Sequence, residues 1–177
     1  MKLIVILFFG LLLQSEDLPA QTLRDLSFYI NSKEVSKTSI DFYNGKFKAS
    51  EDKKTSSIFD SLQTSNDRTR PFYIYLVSKI IHKADGALSE VAGLNCKEFV
   101  EKNPDYLIEF LASSNTKADK KFFDHWANII SSEFMIDCEG NVKTCIKASF
   151  QKTKPKAKKA NQVKLQQFYT AIESYCH

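Results

Sequence analysis

Between Thr69 and Phe134, apolar side chains return every three or four residues in one segment after another. Such a chain folds into helices that each hide one face, because a half-buried strand needs strict alternation instead. Phe72, Leu76 and Ile80 recur at i+4, joined by Tyr73, Val77 and Ile81, with Pro71 in the first turn after Thr69. His82 falls opposite that stripe, beside Ser78 and Lys79, and is expected to be solvated, with Tyr75 projecting towards His82 and Ser78. Asp85-Gly86 breaks the run, and Leu88, Val91, Ala92, Cys96, Phe99 and Val100 resume it. Asn103-Pro104 reads as the cap and first position of a further helix carrying Leu107, Phe110 and Leu111. Thr116 and Asp119 resemble a capping pair ahead of the stripe Phe122, Trp126, Ile129, Ile130 and Phe134.

The flanks are less regular. Leu23, Leu26 and Ile30 share one face of a helix over 22–31. In the less regular segment 32–57, Ile40, Phe42 and Tyr43 open a short helix that Asn44-Gly45 closes, and residues 46–56 read as a polar loop. Ile58, Phe59 and Leu62 mark another helical turn. A last helix from near Lys159 aligns Leu165, Phe168, Tyr169 and Ile172. With only 5 Gly and 4 Pro in 177 residues and no fixed-period repeat, the chain is expected to be all-α. The architecture expected is a single-domain bundle or small stack of about six antiparallel helices.

Residues 3–13, LIVILFFGLLL, follow Lys2 and lead through Gln14 to Asp17 into Leu18-Pro19-Ala20. A charged start, a short apolar core and a small-residue cleavage site make residues 1–20 a signal peptide, cleaved to leave Gln21 first. Eleven residues are too few to cross a hydrocarbon core about 30 Å thick, so no integral membrane segment is expected after cleavage. The expected product is a domain of residues 21–177 outside the cytoplasm, secreted or periplasmic.

That compartment allows disulfides. The four cysteines are paired as Cys138–Cys145, across a short segment, and Cys96–Cys176 by elimination. No CxxC or HxxxH spacing is present, so neither a metal nor a cofactor is expected. Without Lys2, Glu16 and Asp17 the chain keeps 24 Lys/Arg against 19 Asp/Glu. Residues 140–172 hold eight lysines and no acidic residue, which makes them a basic region on a mildly acidic body.

Catalytic signatures are missing. Gly45, Gly86, Gly93 and Gly140 are too scattered for a phosphate loop, and no GxSxG elbow occurs. His82, Asp85 and Glu90 form the weak catalytic candidate, a hydrolase-like group on a helix joint, with Asp85 as a helix cap the plainer role. Asp124 and His125 are neighbours and so diverge by about 100° on a helix. His125 is expected to pack at the stripe border and Trp126 to be a buried anchor. A lysine-rich loop at 147–159 offers Lys152, Lys154, Lys156, Lys158 and Lys159 to a polyanion, although it lacks the aromatics of a stacking platform. A solvated linker is the plainer reading. The function expected from these features is a non-catalytic binding or protein-interaction module with a protein partner.

Overall fold

The computed structural model describes residues 25–113 and 120–176, and these contain nine α-helices and no strand. In chain order they are α1 (Leu26–Ile30), α2 (Lys37–Tyr43), α3 (Lys53–Leu62), α4 (Arg70–Ile81) and α5 (Gly86–Lys102). After them come α6 (Pro104–Ser113), α7 (Lys120–Asp137), α8 (Val142–Thr153) and α9 (Gln162–Ser174). The signal peptide expected at residues 1–20, the capping pair expected at Thr116 and Asp119, and His177 lie outside the described residues.

The helices start where side chains can cap them. Asp25, Ser36, Asp52 and Asp85 each accept a hydrogen bond from a backbone N–H in the first turn of α1, α2, α3 and α5. Each meets an amide the helix itself leaves unpaired. Asp52 moves the start of α3 to Lys53, so the polar stretch expected to be loop through residue 56 is helical in its last turn. Gly45 ends α2 at φ +70°, a conformation that costs a residue with a Cβ.

One buried apolar cluster draws side chains from α1 and α3 through α9. Helix α7 stands inside it, packed against α4, α5, α6, α8 and α9. Trp126 has no exposed surface, and its Nε1–H donates to Ser78 Oγ at 2.8 Å. Ser78 in turn donates to the Ile74 carbonyl at 2.7 Å. Ser78 therefore does not face solvent as its position opposite the stripe suggested. Helix α4 is covered on both sides, and the hydroxyl is held inside because the indole needs an acceptor.

The α5–α7 seam is close because Gly93 carries no side chain. A Cβ there would lie 2.8 Å from Glu133 Oε2 and 3.2 Å from Glu133 Cβ. Glu133 is buried, and an ion pair between Lys97 and Asp137 runs beside it. Burial, reinforced by the Asp137 charge, raises the Glu133 pKa above its ordinary value, against the pull of Lys97.

Cys138 and Cys145 are joined, closing a loop in which Gly140 has φ +83°. A loop this short stabilises by roughly 2.5 kcal/mol on the chain-entropy account. The expected Cys96–Cys176 bridge is not formed. Cys96 is fully buried in the core, whereas Cys176 lies against the Ser131 carbonyl of α7, and both are free thiols. The lysine-rich loop is corrected as well. Residues 147–153 belong to α8, and the rest folds into two 3-10 turns, Lys154–Lys156 and Lys159–Asn161.

Two outcomes follow. Alkylation of the folded protein should modify Cys176 and leave Cys96 untouched until denaturant is added, with Cys138 and Cys145 labelled only after reduction; peptide mass mapping reads all four. Because Glu133 holds its proton more tightly in the folded chain, stability should fall as pH rises from about 4.5 through its raised folded-state pKa. Glu133→Gln should be flatter across that window, as measured by urea unfolding at a series of pH values.

Candidate functional site

Two places bring functional groups together, and neither is the His82/Asp85/Glu90 group. Asp85 is the N-cap of α5, accepting from the Leu88 amide at 3.3 Å, and Glu90 is exposed on that helix. His82 is the C-cap of α4 and turns to another histidine instead.

The first place is an open groove between α8 and α9, with a volume of about 390 Å³. Ile146, Phe150 and Tyr169 give it an apolar floor, and all three are buried members of the core. Lys143, Lys147, Gln151, Gln166, Thr170 and Glu173 stand around its rim. Lys143 lies 3.7 Å from Glu173 across the two helices, while Lys147 forms no ion pair among the described residues. Thr144 lies on the rim too, so the lining is mostly polar over a small apolar base.

What holds the groove open lies beneath and behind it. The Tyr169 hydroxyl sits 3.1 Å from Thr153 Oγ1 and 3.0 Å from Ser149 Oγ, and Ser149 donates to Glu101 Oε1 at 2.6 Å. Burial pushes the Tyr169 phenol above its ordinary pKa, opposed by the Ser149 and Thr153 hydrogen bonds. The phenol therefore stays protonated in the neutral range. The disulfide fixes the first turn of α8 to the end of α7.

Two of the polyanion-candidate lysines serve the same end. Lys156 Nζ donates to the Glu101 carbonyl at 2.6 Å. The Lys158 amide donates to both Asp105 oxygens at 3.0 and 3.1 Å, and its ammonium lies 3.3 Å from Glu109. Asn161 adds hydrogen bonds to Asp105 and Glu109 at 2.7 and 2.9 Å. The basic segment is thereby clipped to a backbone carbonyl of α5 and to the carboxylates of Asp105 and Glu109 on α6. Lys152, Lys154, Lys156, Lys158 and Lys159 are all exposed.

The second place is a pair of imidazoles. His82 Nδ1 lies 2.8 Å from His125 Nε2, with ring centroids 4.6 Å apart. His82 is exposed and His125 half-buried. Burial, and then the His82 charge, lower the His125 pKa; Asp124 opposes this and Lys121 adds to it. The Trp126–Ser78 hydrogen bond and the edge contact of Tyr75 with Phe122, at 6.3 Å, fix the spacing of the two helices. Sequence could not reveal the pair, since 43 residues separate its members. The one signal was Trp126 itself, whose buried N–H calls for an acceptor on a facing helix.

Comparison with protein-family models, with curated proteins and with solved structures gives no match. The functional reading therefore rests on these two sites.

Ser78→Ala should cost about 1–3 kcal/mol in urea unfolding, because it leaves the buried Trp126 N–H without its acceptor. Lys159→Ala, on the surface, should stay within about 0.5 kcal/mol of the parent.

Proposed function

We propose that this protein is a non-catalytic binding domain acting outside the cytoplasm, and that its ligand is a small amphipathic anion seated in the α8–α9 groove. The observation that carries the reading is the groove's composition. Phe150, Tyr169 and Ile146 offer an apolar bed, and Lys143 and Lys147 stand at its edge to meet a negative group. An apolar body with one acidic group matches both halves. The nearby Glu173 restricts the choice further, since a second negative charge on its side of the groove is repelled.

The extracytoplasmic part is supported by the apolar segment 3–13 and by the Cys138–Cys145 disulfide, a bond rare in the cytosol. Among the described residues, no helix is long and apolar enough to cross a membrane. A hydrolase built on His82, Asp85 and Glu90 is disfavoured because Asp85 is occupied in capping α5. A polyanion site is weakened because Lys156 and Lys158 contact groups of the protein's own body.

The dye 8-anilinonaphthalene-1-sulfonate has the required apolar body and single anionic group. Its fluorescence on titration should saturate at one dye per chain. Lys147→Glu should weaken binding at least about tenfold, a difference of roughly 1.4 kcal/mol. Lys159→Glu, of equal charge change but away from the groove, should not. Equal effects from both variants, or none from Lys147→Glu, would discard the groove as the site.

A further inference from the structure

We propose that His82 and His125 form a binding site for a divalent transition-metal cation of the zinc, nickel or copper class, separate from the α8–α9 groove. Two imidazole nitrogens from different helices already converge to 2.8 Å. At that distance a single proton lies between them, and a cation that accepts both lone pairs can replace it. Tetrahedral zinc with bonds of 2.0–2.1 Å needs its nitrogens about 3.3 Å apart, so the pair must open by roughly half an ångström. His82 is exposed at the end of α4 and is free to make that movement.

The rest of the surroundings favour the cation on balance. His82 stands at the C-terminus of a twelve-residue helix, where the helix dipole presents its negative end. Asp124, beside His125, adds an attractive charge, and Lys121 subtracts from it. Imidazole donors select zinc, nickel and copper over magnesium and calcium. The helices bearing the two rings are locked by the Trp126–Ser78 hydrogen bond, so little ordering is left for the metal to impose. No third His, Cys, Asp or Glu completes a metal-holding group among the described residues. With two imidazole ligands, the bound cation would keep positions open to water or a further ligand.

The test is calorimetric titration of the full chain with zinc chloride, before and after His82→Gln, His125→Gln, Cys176→Ser and His177→Ala. Binding of one zinc per chain is expected. Each of the first two variants should weaken it by more than about tenfold, the loss that changes in a metal's outer shell already cause. The Cys176 and His177 variants should bind as the parent does, and excess magnesium should not compete. His82→Gln alters an exposed side chain and keeps the fold, so its result stands even if His125→Gln is destabilised. No zinc binding, parental binding in His82→Gln, or loss of binding in the Cys176 or His177 variant would each overturn the assignment.

Discussion

The hydrogen bond between Trp126 and Ser78 governs how this fold is assembled. An indole is the largest side chain available to a core, and burying it removes some 150–250 Å² from water. Its N–H must still be paired, because an unpaired buried donor costs about 1–3 kcal/mol. A serine on α4 meets that demand, and the serine passes its own proton to the Ile74 carbonyl. The contact is directional, unlike the apolar contacts around it. It sets the register of α7 on α4 and so decides which residues at the two helices' surface become neighbours. Tyr75 meets Phe122 on one side of it, and His82 meets His125 on the other.

Helix α8 is placed by different means. Its apolar contribution is small: Ile146 and Phe150 are its buried hydrophobic residues. Covalent and polar links make up the difference. The disulfide ties its first turn to α7, Ser149 reaches Glu101 on α5, and the following turns are held by Asp105 and Glu109. A helix fixed at both ends and only lightly packed between them leaves room along its flank. The groove against α9 is that room.

Most of the helices were legible because their signal is local. The period of Phe72, Leu76 and Ile80, the Asn103-Pro104 start and the Asn44-Gly45 stop each correspond to an observed element or boundary. The short disulfide was legible for the same reason. What escaped depends on contacts across the chain. The Cys96–Cys176 pairing followed from elimination, which ignores where α5 and the C-terminus end up. The lysine-rich stretch read as a loop because its charge suggests solvent, yet Ser149, Phe150 and Thr153 give α8 a buried face within it. Ser78 fell on the face opposite the apolar stripe, and the partner that buries it is 48 positions away. The two histidines were each read singly, and nothing in their sequence spacing could have joined them.

Charge explains why the groove, rather than the lysine run, is the better place for a ligand. Counted along the sequence, residues 140–172 are the most basic part of the molecule. In the fold, the exposed Lys156 ammonium is held by the Glu101 backbone carbonyl and the Lys158 ammonium pairs with Glu109, so the run is tied to α5 and α6 and one of its charges is partly compensated. A polyanion approaching that segment would have to compete with those contacts or meet acidic neighbours. Lys143 and Lys147 differ, because they stand on the first turns of α8 at the rim of a groove whose base is apolar. A lone lysine in water attracts anions weakly, and salt screens it further. Beside a surface that can also bury an apolar body, the same charge adds direction to an affinity supplied by the hydrophobic effect. That combination selects small amphipathic anions over long polymers, and it is the physical basis of the binding role proposed for this protein.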